Sequence, residues 1–569
     1  MGVLLWLVGR VASYTWILLA TVLFLYIASW VQHRRHQHSI FSRLGIPHVP
    51  PHLIYGSNHI LRAPGALATD VIGQWIQQYG KVFGYYVGWK PTLVVADMDL
   101  VKQVLIKDFH NFANRPKLVL DVQPVVDTVV GLRDQRWKDV RSVLAPTFSM
   151  MKMKLMAGIM NHKIDQLLAI VTEKNARKES VEWFTTYQGM TLDVISECAL
   201  AMKTNCQLKQ NKDEFFVAVK EFLKNALNPA VLLALYFPGF ATFLSFVSNK
   251  FSLSGRMTQM IVNHLKTVIA IRRKDLSNKY VDVLQLMLET AESRQNNPGD
   301  SAATDVTTTA TDKERPRHIL LTDKEIIANA WVFMLGGFET TANALTYATY
   351  LLATHPQVQE RLYQELCTVS QVNGGPLTYE EVRQLKYLDQ VLSESLRLYP
   401  PVVTFTVRES AEDFMVSTSR YIQYTVYFFV LTTFQFTSQS TGWSILCVQL
   451  HTHTILRHFS SMIFPPEMKD NAKAGESRHP MAYLPFGAGP RNCPGMRFAQ
   501  LEAKLTLARI VKIFRYATTI FQVGVYKCSV LGHETLLVHV AKGPITYCLY
   551  LPFKLQPCKY QNALIIYFL

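Results

Sequence analysis

A mainly α-helical fold with small β-sheets, tethered by one N-terminal membrane-spanning helix, is what this sequence predicts, and three observations carry the prediction. Residues 11–31 hold no charge and meet the ~20 residues that a helix needs to cross a bilayer. A long segment is opened by the capping box Thr322-x-x-Glu325 and closed before Pro356, the start and stop signals of one long helix. Residues 486–495 form a glycine-flexed loop ahead of Ala499, Leu501, Leu505, Leu507, Ile510 and Ile513, which recur near helical spacing.

The basic cluster His33, Arg34, Arg35, His36 and His38 follows the apolar run directly and favours a cytosolic C-terminal side, with Arg10 on the other flank opposing it. A cleaved signal peptide is the competing reading, but the run is long and no small-residue cleavage site precedes the cluster. Pro47, Pro50 and Pro51 stiffen residues 32–56 into a basic, proline-rich hinge. Residues 82–87 and 92–96, parted at Gly88, read as a hairpin, and Asp97 opens a helix carrying Val101, Val104 and Leu105. Residues 226–247 are strongly apolar, yet Pro229, Pro238 and Gly239 break any spanning helix, leaving a membrane-dipping lid or a buried helix pair. Residues 291–317, rich in Asn, Thr, Ala and Asp, lack apolar anchors and read as a mobile loop.

A chain of 569 residues exceeds one ordinary core, but its motifs interleave along a single large domain, residues 57–516, beyond the anchor. The net charge of +16 comes with no basic-aromatic array or nucleic-acid motif, so a basic face for anionic lipid and an acidic protein partner is the better reading. Eight cysteines without paired spacing suit a reducing compartment and suggest no disulfide framework.

The chemistry concentrates in the glycine loop. A cysteine binds metal as its thiolate, which is favoured where backbone N–H groups and a helix N-terminus face the sulfur. Pro494 fits the first helical position, which places Cys493 where those N–H groups point. Gly487, Gly489 and Gly495 permit close backbone approach to a flat ligand, Phe486 offers a ring beneath it, and Arg491 can pair with a carboxylate. That set suits a thiolate ligand to haem iron, the bland alternative being a buried structural cysteine. Within the long helix, Gly336 and Gly337 cost about 1 kcal/mol each relative to Ala, which space beside a bound ligand or close helix packing would offset. Glu339 and Thr340 next to them supply a carboxylate and a hydroxyl that can order water and relay protons. Glu394 and Arg397 share a helix face at i,i+3, a pair that taken alone is more often an exposed salt bridge.

The loop Phe486-Gly487-Ala488-Gly489-Pro490-Arg491-Asn492-Cys493-Pro494-Gly495 resembles the haem-binding signature F-G-x-G-x-R-x-C-x-G of the cytochrome P450 superfamily at every fixed position. Trp137 to Arg141 is similar to that family's W-x-x-x-R helix, Gly336 to Thr341 to its oxygen-side helix, and Glu394 to Arg397 to its E-x-x-R pair, in the family's order. The resemblance implies the P450 fold, haem b (iron protoporphyrin IX) with an axial thiolate from Cys493, and propionate or ring contacts from Arg115, Trp137, Arg141, Arg408, Phe486, Arg491 and Gly495. It further implies proton handling by Glu339 and Thr340 and structural support from Glu394 and Arg397. The partners implied are NADPH-cytochrome P450 reductase, cytochrome b5 as an optional second donor, a lipophilic substrate and membrane lipid, with the catalytic domain on the cytosolic face of the endoplasmic reticulum. Residues 111–115, 132–137 and 347–354 resemble the thromboxane-synthase branch and the neighbouring drug- and steroid-oxidising branch. Retention of Thr340 favours a monooxygenase over an endoperoxide isomerase.

The resemblance breaks twice. Residues 414–466 contain no Asp, Glu or Lys, where an ordinary globular segment is about one quarter charged, and the family's meander and its P-E-R-F arginine partner are not legible there. Arg397 is therefore expected to lack its usual second partner. The tail, residues 517–569, bears one acid, Glu534, and departs from the family's terminal strands. Both changes fit retained non-coding sequence or alternative exons, which keeps open a haem-poor, inactive product.

Overall fold

The computed structural model describes residues 2–63, 68–117, 123–179, 181–200, 202–209, 213–225, 229–274, 282–292, 321–369, 375–402, 406–412 and 479–518, together with strands at 414–417, 420–422, 427–430, 436–439, 442–445, 534–542 and 552–555. The loop expected at 291–317 begins later, because a helix, Val283–Glu292, takes its first two positions; the rest of it and most of the two atypical segments lie outside the described residues.

Helix α1 (Gly2–His38) contains one stretch, Tyr14–His38, long and apolar enough to cross a membrane, with its apolar side chains exposed. Its lower end is docked. Trp30 stacks on Phe237 with ring centroids 5.9 Å apart, and buried Arg34 donates to the carbonyl of Tyr236. The proline segment expected to act as a hinge is docked too, because the Gly84 N–H donates to Pro47 (2.8 Å) and the Val49 N–H donates back to Gly84 (2.9 Å). Gly84 has no side chain for a reason: a Cβ there would lie 2.4 Å from the ring of buried Phe41.

Strands β1 (Val82–Val87) and β2 (Lys90–Val95) pair antiparallel as the hairpin pattern predicts. Asp97 then accepts from Leu100 N at 3.1 Å and caps the next helix. The sheet is finished by β3 (Val407–Glu409) and β4 (Tyr427–Val430) in the order β1-β2-β4-β3. Strand β4 comes from the acid- and lysine-free segment in which no strand was legible. Its Tyr-Phe-Phe-Val run has none of the period-2 alternation that marks a half-buried strand, so pairing on both sides overrides a silent pattern. The tail likewise adds β6 (Glu534–Lys542) and β7 (Pro552–Leu555) to β5 (Phe514–Thr518) in one antiparallel sheet.

The helical core is built around α2 (Asp134–Leu144), α3 (Trp183–Leu200), α4 (Asp323–Thr354), α5 (Lys386–Leu398) and α6 (Met496–Ile513). Helix α4 starts at the predicted capping box, whose Glu325 also pairs with Arg136 of α2. It lies along α3 so closely that a Cβ on Gly337 would meet Ile195 at 2.7 Å. Tyr187 Oη hydrogen-bonds Thr349 Oγ1 (2.8 Å), which fixes the far ends of the same two helices. The apolar segment after residue 228 folds as two short helices, Pro229–Tyr236 and Ala241–Phe251, broken at the residues expected to break it, and exposes Phe240, Phe243, Phe246 and Phe251.

Candidate functional site

A cavity of about 300 Å³ lies between α4, the loop that precedes α6, and the arginine-bearing segments around Arg115, α2 and β3. Cys493 opens onto it. The thiol counts as exposed although the residue lies deep in the protein, because its free surface faces the cavity. The loop is held by the Cys493 N–H donating to Phe486 O (2.9 Å) and by left-handed backbone at Gly487 and Gly489, both at φ +72°. At Gly489 the reason for glycine differs from the expected ligand contact: a Cβ would sit 2.0 Å from the backbone oxygen of Leu105, so the residue admits a neighbouring chain segment.

Helix α6 begins at Met496 with Gly495 as its N-cap, two residues after the start expected from Pro494. The Gly495 N–H accordingly serves the sulfur, and Arg141 and Arg115 add positive charge, but burial outweighs them and pushes the Cys493 thiol above its ordinary value. In the protein alone the sulfur is therefore a thiol, and a bound metal cation is what would hold it as thiolate.

Four arginines line the same cavity: Arg115, Arg141, Arg408 and Arg491. Arg141 Nη2 donates to Asn492 O (3.0 Å) and Oδ1 (2.9 Å), and Arg491 Nη2 donates to Leu132 O (2.9 Å) while its guanidinium lies 4.1 Å over the Trp137 ring. Trp137 and Arg141 thus share the cavity face, as their spacing predicts. Arg408 Nε and Arg491 Nη1 are buried with no hydrogen-bond partner among the described residues. Burial pulls Arg408 down to about 10, and burial with the repulsion of Arg408, Arg133 and Arg141 pulls Arg491 down to about 9. Unanswered donors on crowded cations beside a cavity-facing sulfur fit a planar, metal-centred ligand carrying carboxylates, which is what haem is.

On α4, Gly336, Gly337 and Thr340 line the cavity, and Gly337 also packs on α3, so both roles that the sequence left open for the glycine pair are met. A Cβ at Gly336 would meet nothing within 4 Å, and Thr340 Oγ1 donates to Gly336 O at 2.5 Å. Glu339 is elsewhere. It is buried against α3, where Gln188 Nε2 donates to its Oε2 at 2.9 Å, and burial pushes its carboxyl up to about 7. The neighbouring acid and alcohol therefore point apart, as residues one position apart on a helix do. Sequence alone gave no hint of Gln188, which sits in an unremarked helical run, nor of Asn492 as the partner of Arg141. Phe486 and Gly495 also line the cavity. Glu394 and Arg397 lie behind it on α5, joined by two bonds of 2.7 Å, so the half-buried guanidinium has a bidentate partner within its own helix.

Comparison with known proteins agrees with this layout. The cytochrome P450 family model matches residues 47–423 and 462–522. Cytochrome P450 3A29 of Sus scrofa is 29% identical over 510 residues, covering 90% of this chain and 92% of the relative. Thromboxane-A synthase of Mus musculus is 32% identical over 497 residues, covering 84% and 88%, and cytochrome P450 3A40 of Oryzias latipes is 30% identical over 516 residues, covering 88% and 91%. Residues 424–461, which the family model passes over, fall inside the acid- and lysine-free segment, whereas the cysteine, the arginines and the long helix all fall within the match. The chain belongs to the cytochrome P450 family, enzymes of the monooxygenase type whose haem is held by a cysteine thiolate.

Proposed function

We propose that this enzyme inserts one oxygen atom from dioxygen into a lipophilic substrate, with electrons delivered from NADPH by NADPH-cytochrome P450 reductase. The observation that carries this reading is that Cys493, from the loop before α6, and Thr340, from α4, line one cavity. Haem b, when bound, would supply the iron chemistry for dioxygen activation, and the Cys493 thiolate would hold it. Arg115, Arg141, Arg408 and Arg491 would hold its carboxylates, with Trp137 backing Arg491, and Phe486 and Gly495 would bound the cysteine side.

The remaining chemistry belongs to the protein. Thr340 Oγ1 gives its proton to Gly336 O, which leaves its lone pairs free to accept from a water in the cavity. Glu339, titrating at about 7, can release and regain a proton near neutrality, but it must leave Gln188 to reach the cavity. Apolar walls such as Leu335, Phe333 and Val332 exclude bulk water and favour a hydrophobic substrate. Helix α1 and the exposed phenylalanines of 240–251 support attachment to the endoplasmic reticulum membrane with the catalytic domain in the cytosol.

A second reading is favoured by the likeness to thromboxane-A synthase: rearrangement of an endoperoxide, which needs no external electrons. Two measurements separate the cases. A carbon monoxide difference spectrum of the reduced protein is expected to carry the thiolate-type Soret band, and a colourless preparation made with ample porphyrin would overturn both readings. Product formation that requires NADPH and reductase supports oxygenation. Turnover of an endoperoxide without them supports the isomerase.

A further inference from the structure

Loop residues 125–132 line the cavity beside α4 through Val129 and Val130. The loop braces itself around Thr128, whose Oγ1 donates to Val125 O (2.7 Å) and accepts from Gly131 N (3.1 Å), while Leu132 N donates to Thr128 O (2.8 Å). It is tight enough that a Cβ on Gly131 would lie 2.4 Å from Val125 O. Such a loop moves as one piece, so its position depends on what grips it from outside. Among the described residues three side chains do. Arg115 Nη1 donates to Val130 O (3.3 Å), Arg491 Nη2 donates to Leu132 O (2.9 Å), and Asn329 Oδ1 accepts from Val129 N (2.8 Å).

These grips are unequal. The two arginines belong to the cofactor side, whereas Asn329 is on α4, one turn before the cavity-lining Val332 and Phe333. Asn329 is fully buried and does not itself line the cavity. Its Nδ2 donates to Glu325 O at 2.8 Å within its own helix, which commits the amide to one orientation and presents only Oδ1 to the loop. Glu325 is in turn paired with Arg136 of α2, so the helix end that carries the amide is itself tied down. We propose that Asn329 is a positioning residue that sets the substrate side of the cavity, latching the Val129–Val130 wall at a fixed distance from α4 so that long apolar ligands are selected by that width. The inference rests on the haem reading only in that it places the reacting centre in this cavity.

Removing the acceptor leaves the buried Val129 N–H unsatisfied, and the loop can regain a partner only by swinging on its arginine-held end. The test uses the full-length haem-loaded protein and two probes that bind the iron through an amine, n-butylamine and n-octylamine, each followed by the Soret shift. Butylamine is too short to need the wall and octylamine must lie along it. In Asn329→Leu, haem uptake stays at the parent level, the octylamine dissociation constant changes by about tenfold, and that of butylamine stays within about twofold. Asn329→Asp, whose neutral carboxylic acid keeps both the acceptor and a donor, restores the parent ratio to within about twofold. An unchanged ratio in haem-replete Asn329→Leu overturns the proposal, and so does an equal loss for both amines, which marks a merely structural role. Should Asn329→Leu fail to take up haem, Thr128→Val, which removes the loop's inner brace, must change the ratio in its place, and a flat ratio there is equally fatal. A parent protein with no thiolate spectrum would instead remove the haem reading, so the two failures are distinguishable.

Discussion

The cavity rim and the helical bundle both bury ionisable groups that the described residues leave partly unanswered, and they resolve the conflict in opposite ways. Beside the cavity, Arg408 and Arg491 carry buried donors that no described side chain satisfies. Inside the helical bundle, Glu502 of α6 is fully buried, and neither of its carboxylate oxygens has a partner among the described residues. A carboxyl can escape by keeping its proton, and burial raises Glu502 well above its ordinary value. A guanidinium cannot escape that way. Even at about 9, Arg491 remains charged at neutral pH and must have an anion brought to it. The difference teaches that orphaned acid in a core is a stability matter, whereas orphaned base at a cavity rim is the imprint of an anionic ligand.

The comparison can be broken most decisively at the cysteine. In Cys493→Ala the thiolate Soret band is expected to vanish altogether, and its survival would detach the arginine rim from haem. Arg408→Met should change sign with loading: it stabilises the haem-free protein by roughly 1–3 kcal/mol in urea unfolding and speeds haem loss from the loaded one, because only the loaded state supplies the missing acceptor. Destabilisation in both states would make Arg408 an ordinary structural residue.

Glu502→Gln sharpens the other half. The folded protein holds the Glu502 proton above the pH at which the unfolded chain releases it, so stability from this group is present at low pH and falls as pH rises above the unfolded value. The slope is at most about 1.4 kcal/mol per pH unit, and the variant should flatten it in unfolding measurements between pH 5 and 8, values set by the direction of the shift. Glu339→Gln should abolish any step in electron-to-product coupling near pH 7, the range to which burial brings this carboxyl. A step that persists assigns it to another group. The smallest effects concern the glycines. Gly337→Ala meets Ile195 at 2.7 Å and should cost about 1–3 kcal/mol, whereas Gly336→Ala meets nothing and should gain up to about 1 kcal/mol in thermal unfolding while narrowing the cavity.

Much of this was legible in the sequence because it is local. The Thr322–Glu325 box, the Asp97 cap and the breaks at Pro229 and Pro238 each depend on residues a few positions apart, and each stands in the structure. The cysteine loop was legible because its residue types are individually costly and agree with one another. What could not be read is long-range. Gln188 meets Glu339 across 151 positions, and the space a Cβ would need at Gly489 is taken by a carbonyl from Leu105, far away in sequence. The Cys493 thiol ran against the expectation from helix-terminal N–H groups because depth in the protein, which sequence does not encode, outweighs them. Strand β4 was hidden for a related reason: its partners, not its own pattern, make it a strand.

The grip of Trp30 and Arg34 on Phe237 and Tyr236 bears on how a detergent-free version of this enzyme could be prepared. Trimming the chain after His38, where the first helix ends, would strip two side chains out of a packed joint and leave an aromatic gap beside the short helices. A cut placed ahead of Trp30 would shed the greasy stretch and keep that joint shut.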